Sequence, residues 1–448
     1  MTNNDLTKNR FLAGPILPPL LQFAFPLMLS QLLQAFYGGV DLMVVGQYSS
    51  TASVSAVATG SQIMQALTVL ITGLTMGVTV LVGKAVGAGD PDAAGQLRLF
   101  ALLAAALTAG MLAFAPAIVQ WMNVPAEAVP ETLRYVRICS GGILFIAAYN
   151  GISGVFRGLG NSRSPFLFVL IACLVNVTLD LVLVGGFGMN ASGAALATVI
   201  AQASSVLFSL GYMRRHPLPF SVRGRRRDVP RAVGRILRLG TPIALQDFLT
   251  TISFLIITSI VNSLGLVASA GVGISEKLYV FLSIVPMSFM SALSTFVAQN
   301  MGAGQPLRAR KALFAAQKVS LCFGAVIFTL TFWGGGLLAA LFSRDAAVIE
   351  AAALYMRGSA AEHLLNAFIY CMLGYFNGRE RTTFVMAQGL FTAFLVRIPL
   401  SYLLSRLPGA GMLTISMAIP ATALVSLVLC TGYLLLLRRR DSAAGAAD

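Results

Sequence analysis

Apolar runs long enough to cross a bilayer recur along this chain, and they constrain its fold more than any other feature. A helical span needs about 20 largely apolar residues to cross the hydrocarbon core. Twelve such runs, punctuated by Gly, Pro and charge, lie at about 15–46, 52–82, 97–121, 132–156, 165–185, 191–213, 235–262, 268–297, 312–334, 350–377, 384–404 and 413–437. Several exceed a minimal span and must tilt, bend or project. In lipid every backbone polar group must be bonded within the protein, which leaves helices and closed barrels. A barrel would show short alternating segments, not long continuous runs. The 448 residues are 57% hydrophobic and only 10% charged, too little charge to cover a soluble surface of this size. The sequence therefore predicts an all-α polytopic membrane protein with twelve transmembrane helices.

The formal net charge of +15 does not point to nucleic acid, because the basic residues sit between the apolar runs. One set of loops and tails holds Lys8 and Arg10, Lys84 and Arg98, Arg157 and Arg163, a cluster over 214–238, Arg308, Arg310 and Lys311, Arg379 and Arg381, and Arg438 to Arg440. The alternate loops hold only Arg344 and Arg406. This asymmetry predicts a multi-pass protein of the inner or plasma membrane with both termini in the cytoplasm. The densest stretch, RRHPLPFSVRGRRRDVPRAVGR (214–235), reads as a cytoplasmic loop near anionic lipid. All five cysteines fall in apolar segments and form no CxxC, so they read as small apolar fillers. The N-terminal stretch MTNNDLTKNRFLAGP has no cleavable signal pattern.

The chain also repeats itself. VGKAVGAGDPDAAG (82–95) matches VAQNMGAGQPLRAR (297–310) around a shared GAG-x-P. FPLMLSQLLQAFY (25–37) resembles TPIALQDFLTTIS (241–253) around its proline, and RYVR (134–137) recurs as LYMR (354–357). Six spans separate each pair, so the two halves share one orientation, as a parallel pseudo-two-fold repeat requires. The expected division is a tail (1–14), an N-lobe of six helices (15–213), a basic linker (214–234), a C-lobe of six helices (235–437) and a second tail (438–448). Two like bundles flanking a central cavity suit an alternating-access transporter.

Charges inside the spans are the functional candidates. An Asp near a helix centre costs about 2.5–3.5 kcal/mol on insertion scales, so it is expected to face a cavity or a partner. Asp41 lies about six residues before the outer end of span one, and Asp180 about six before the outer end of span five. Both therefore lie at similar depth, roughly 9 Å below the boundary at 1.5 Å per residue. Thr198 on span six falls at a comparable level. Asn176 is one turn below Asp180, Tyr37 one turn below Asp41, Gln34 continues that stripe, and Asn150 on span four lies deeper. The second half lacks this arrangement: Ile257 stands opposite Asp41 in the repeat, and Arg397 near Asn176. Its polar residues Asp247, Glu276, Lys277, Glu362, His363, Asn366 and Arg397 read first as structural groups. Pro26 and Pro242 occupy matching places in spans one and seven and are the expected hinges. A carboxylate in a poorly hydrated cavity can take up a proton, and in doing so loses its hold on an organic cation. The oxygens of Asp41, Asp180, Asn176, Asn150 and Thr198 also suffice for Na⁺, and residue types do not decide between the two ions.

With these features in hand, the sequence resembles the multidrug and toxic compound extrusion (MATE) family over nearly its whole length. The resemblance rests on twelve spans in two halves, the FPL…D pattern of span one, the twin GAG-x-P loops, and FRGLGNSRSP (156–165) after span four. It implies two six-helix lobes that export cationic or amphipathic compounds against inward H⁺ or Na⁺, with no cofactor. One group within the family carries an N-lobe acidic network, and Asp41, Asn150, Asn176, Asp180 and Thr198 match it, with Tyr37 and Tyr135 nearby. Other members use a Glu on span seven and an Asp on span ten, where this chain has Thr251 and Asn366. Coupling is thus expected in the N-lobe, with Tyr37, Gln34, Tyr135, Asn366 and Glu276 as candidate substrate contacts. The expected partners are small organic cations and the lipid bilayer, with no nucleic acid, and a monomer is expected.

Two other classes compete. A flippase for lipid-linked or polysaccharide precursors would want cavity-facing Arg or Lys for an anionic head group. Arg137, Arg357 and Arg397 are the candidates, though two extra spans common in such flippases are absent. An intramembrane serine protease is suggested only by GISG (151–154), and the two histidines, His216 and His363, lie in the basic loop and in the other half. No HExxH, P-loop or Rossmann fingerprint appears, which argues against an enzyme or an ATP-driven pump.

Overall fold

A computed structural model describes residues 10–89, 110–120, 122, 124–216, 229–262, 265–409 and 411–444. The basic stretch 217–228 and the first part of the third expected span lie outside the described residues. All regular elements among the described residues are helical. The chain forms two compact units, one of residues 1–13 and 22–244, the other of residues 14–21 and 245–448.

The first unit contains α1 (Leu17–Tyr48, from Gln22 onward), α2 (Thr51–Ala88), α3 (Gly110–Gln120), α4 (Val129–Gly141) and α5 (Ile143–Gly158). It continues with α6 (Arg163–Asp180), α7 (Asn190–Arg215) and the start of α8 (Val229–Asn262). The second unit holds the rest of α8, then α9 (Leu266–Gly302), α10 (Pro306–Ala340), α11 (Ala346–Ser359) and α12 (Ala361–Gly378). It ends with α13 (Thr382–Leu390), α14 (Ile398–Ser405), α15 (Met412–Ser416) and α16 (Ala418–Ala444). Among the described residues nine helical segments are long and apolar enough to cross a membrane, and α4 with α5, bent by 44°, make a tenth. Of the other two expected spans, 97–121 is described only as the short apolar α3, and 350–377 is divided into α11 and α12.

The repeat seen in the sequence returns as repeated backbone events. Each GAG-x-P ends a long helix through its third residue: Gly89 and Gly304 take φ of 69° and 70°, a left-handed conformation that glycine adopts freely. The fourth span of each half is broken, at Gly142 and at Ala360. The fifth span of each half loosens into a π-helical segment, Leu181–Gly186 and Phe391–Arg397. Helix contacts repeat as well. A Cβ on Gly154 would lie 2.7 Å from the Thr75 side chain, and one on Gly158 2.7 Å from Val82, so α5 packs closely on α2. In the second unit a Cβ on Gly374 would collide with Met290 O, and one on Gly378 would meet Ser294 O at 2.6 Å, so α12 packs on α9 in the same way. Lipid gives apolar side chains little reason to associate, so close backbone approach at small residues holds such helices together.

Large apolar side chains fill the remaining interior. Tyr149, Ile152, Phe156, Phe168 and Val206 form one cluster in the first unit, and Ile257, Val272, Tyr355, Met412 and Ile415 one in the second. Leu207, Leu255, Trp333 and Leu337 stand exposed, as side chains facing hydrocarbon must. At the end of the second unit Arg379 makes a bidentate pair with Asp441, at 2.8 and 2.9 Å, and its guanidinium stacks on Tyr375.

Candidate functional site

Three helices of the first unit bring oxygen-bearing side chains to one buried place. Asp41 comes from α1, Asn176 and Asp180 from α6, and Thr198 from α7. Asp41 is 6% exposed, Asn176 1% and Asp180 0%. Thr198 Oγ1 donates to Asp41 Oδ2 at 3.3 Å and also reaches Ala194 O, one turn back on its own helix, at 3.0 Å. The Asp41 carboxylate faces Asp180 and Asn176 as well. These further approaches do not close into aligned hydrogen bonds: Asp41 Oδ1, both Asp180 oxygens and both polar atoms of Asn176 are buried without a partner. Among the described residues no Lys or Arg pairs with either carboxylate.

Local backbone chemistry creates this convergence. At Asp180 the chain leaves α-helical register and enters the π-helical segment Leu181–Gly186, after which Phe187 N–H reaches back to Val182 O at 2.9 Å. A π-turn inserts an extra residue and re-aims what surrounds it, which is why such turns gather at working sites. Gly188 and Asn190 then adopt φ of 63° and 52°, a tight left-handed link that reverses the chain into α7. Gly193 seats that return, since a Cβ there would lie 3.1 Å from Val184. As a result α7 runs back beside α6 and presents Thr198 to the carboxylate on α1.

The other sequence candidates lie around this centre at different ranges. Tyr135, on α4, is buried within electrostatic reach of both carboxylates, with Cys139 one turn further on beside it. Tyr37 stands next to Asp41 and to Gln202 of α7. Gln34 is exposed and approaches Tyr149 of α5, not the carboxylates. Asn150 is half-buried and donates to Ile146 O at 2.8 Å on its own helix; the groups that hydrogen-bond range brings to Asp41 are Asp180, Asn176 and Thr198. Gln202 was not singled out from sequence, although it lies one turn beyond Thr198 on the same face. Pro26 and Pro242 both sit inside continuous helices, and Ser30 Oγ donates to Pro26 O at 2.8 Å.

In the second unit Asn366 is buried and shares a small cleft with His363 and Ser320. Glu276 accepts from Thr258 Oγ1 at 3.0 Å, while the adjacent Lys277 is exposed on another face of α9. Glu362 pairs with Arg397 at 3.4 Å and lies 3.3 Å from the Tyr279 hydroxyl. Asp247 is exposed, and Thr251 donates to its backbone carbonyl at 3.0 Å.

Among the described residues the span break and the π-helical segment recur in both units, while Asp41 and Asp180 both belong to the first. The sequence pattern of the MatE family matches residues 26–182 and 242–403, one block in each half. The chain belongs to the MatE family. This makes it a membrane transporter and not an enzyme. MatE relatives extend over nearly the full length. The probable multidrug resistance protein YoeA of Bacillus subtilis (strain 168) is 27% identical over 438 residues, covering 92% of both chains. The multidrug resistance protein PmpM of Pseudomonas aeruginosa is 27% identical over 401 residues, covering 86% of this chain and 83% of that one. The FAD transporter of Shewanella oneidensis is 24% identical over 439 residues, covering 94% and 95%. Among solved structures, an outward-facing MATE family multidrug resistance transporter of the MOP superfamily superposes with a TM-score of 0.88 at 20% identity, covering 97% of this chain and 98% of that one. A MATE structure in the bent conformation gives 0.89 at 19% identity, covering 98% of each. The all-helical architecture with two halves of six spans is that of the MATE fold.

Proposed function

We propose that this MatE transporter is a secondary active multidrug exporter. It expels cationic or amphipathic small molecules by alternating access, in exchange for H⁺ or Na⁺ acting at Asp41 and Asp180. The carrying observation is the juxtaposition of these two carboxylates, buried on facing helices with no basic partner among the described residues. Two like charges in contact away from water repel strongly, so the pair is held together only by a cation between them. A proton or Na⁺ meets that need, with Asn176 and Thr198 supplying further oxygens. An arriving organic cation competes for the same charge, which links its release to ion entry. Tyr37, next to Asp41, and Tyr135, within electrostatic reach of both carboxylates, are the candidate substrate contacts beside the pair, whereas Gln34 approaches Tyr149 and Asn150 bonds within α5. The multidrug function of YoeA and PmpM, as their names describe it, supports this reading. The alternation of basic and base-poor loops supports a cell-membrane location with both termini cytoplasmic.

A flippase of related fold is the runner-up, and the proposed anion contacts weaken it. Arg357 Nε donates to Phe332 O at 3.2 Å, Arg397 faces Glu362 at 3.4 Å, and Arg137 is exposed. The decisive experiment is counterflow of ethidium in proteoliposomes with ΔpH and ΔNa⁺ imposed separately. Export driven by one gradient identifies the coupling ion. Movement of lipid-linked sugars with no ethidium transport would replace this reading with the flippase.

A further inference from the structure

One lysine of the second unit stands where a membrane span seldom leaves a charge uncovered. The apolar core of α10 begins near residue 312, and Lys318 lies about 9 Å inside it at 1.5 Å per residue. It is exposed, on one stripe with exposed Lys311 and Phe314, two turns and one turn before it. Beyond it α10 goes on exposing apolar side chains, Phe323, Val326 and Leu330, as a surface against hydrocarbon does. Side chains on a helix lean toward its N-terminus. Lys318 therefore leans back along α10, toward Phe314 and the headgroup layer.

Helix α16 brings a third base to the same ring. Both α10 and α16 pack on α12, and Arg438 crosses from one to the other. It stands near the end of α16 and leans the other way, into the apolar layer. Its guanidinium lies 5.2 Å from the Phe314 ring centroid. It is half-buried, and its Nε has no partner. The acid one turn beyond it, Asp441, is taken by Arg379 in the bidentate pair. Among the described residues no hydrogen bond or ion pair engages Lys311, Lys318 or Arg438.

Three bases around one aromatic ring, at the lipid boundary and with no acid among them, need an anion. A soluble anion would have to leave water to reach a lysine at that depth. A phosphate carried on acyl chains lies at the boundary already, and the apolar side chains beyond Lys318 give those chains a wall. A zwitterionic headgroup brings an ammonium of its own, which the three bases repel. We propose that the surface where α10 and α16 meet binds an anionic phospholipid, its headgroup phosphate held by Lys311, Lys318 and Arg438 beside Phe314. This lipid site stands whether or not the protein exports cations.

The test uses the full-length protein in detergent, titrated with phosphatidylglycerol or phosphatidylcholine and read by native mass spectrometry. A base near a lipid surface is worth about fivefold in the binding of an anionic headgroup. The wild-type protein should therefore hold phosphatidylglycerol at least about tenfold more tightly than phosphatidylcholine. Lys318→Gln and Arg438→Gln should each cut that preference about fivefold, and Lys318→Arg should keep it. Arg214→Gln removes an exposed base from the other unit and should leave the preference unchanged. A second measurement needs no variant to fold. Phosphatidylglycerol with a photoreactive headgroup should label wild-type peptides around Phe314 and Leu435, and excess unmodified phosphatidylglycerol should suppress that labelling. Equal retention of the two lipids overturns the proposal. So does a preference that Arg214→Gln lowers as much as the α10 and α16 variants do, which is the mark of a diffuse basic surface. Labelling confined to other peptides overturns it too, and labelling suppressed by inorganic phosphate alone replaces the lipid with a soluble anion.

Discussion

Replacing Asp180 with Asn should make the protein more stable and, at the same time, inactive in coupled transport. Asn has nearly the same shape and deletes only the charge. Asp180 is fully buried, neither of its oxygens has a partner, and Asp41 lies against it. Two unit charges about 4 Å apart repel by ~4 kcal/mol at an effective dielectric constant of about 20. A cation shared by the pair offsets part of this, so the variant should recover a fraction, about 1–3 kcal/mol. In a chain this long that amounts to a rise of a few degrees in melting temperature. Coupled export should fall to background, because the remaining carboxylate holds a cation without a second charge to release it. A purely structural carboxylate behaves in the opposite way: removing one member of a satisfied buried pair costs about 3–5 kcal/mol. The assay is a thermal unfolding scan of both proteins in the same detergent, beside ethidium efflux from proteoliposomes under ΔpH or ΔNa⁺. A lower melting temperature for Asp180→Asn, or wild-type coupled efflux, refutes the assignment.

Two further substitutions probe neighbouring features. Thr198→Val removes a hydroxyl that divides its donor between Asp41 at 3.3 Å and Ala194 O at 3.0 Å, so the loss is about 0.5–1 kcal/mol, read as a two- to fivefold weaker dependence on the coupling ion. An unchanged ion dependence would remove Thr198 from the site. Gly374→Leu pushes a side chain into Met290 O, where even a Cβ would collide, and should destabilise by about 1–3 kcal/mol or more, whereas Gly38→Ala, with nothing within 4 Å, should be tolerated. Detergent melting temperatures distinguish the two, and equal values would mean that the α9–α12 contact does not hold the second unit.

Span count and the acid pair were legible in the chain because each has a large energetic signature. An apolar run of bilayer length has few other fates, and a lone Asp within one is costly enough to demand a reason. Depth counting along ideal helices placed Asp41, Asp180 and Thr198 at one level, and they lie together. It placed Asn150 by the same ruler, but Asn150 follows the 44° bend between α4 and α5, where level no longer fixes direction. The bend at Gly142 and the π-turn after Asp180 carry no polar signal: Leu181–Gly186 reads simply as more apolar helix. The pairing of Glu362 with Arg397 was equally hidden, since the two stand on successive spans, 35 residues apart, and only packing shows that their side chains meet. The two halves then make a sharper point than either alone. They repeat the broken fourth span, the π-turn of the fifth and the glycine-lined contact with the second, while Asp41 faces Ile257 in the repeat and Arg397 stands near the place of Asn176. The span breaks and π-helical segments are shared between the halves, and the placement of charge is not. On the exporter reading proposed above, this asymmetry is what places ion exchange in the first unit, beside Asp41 and Asp180.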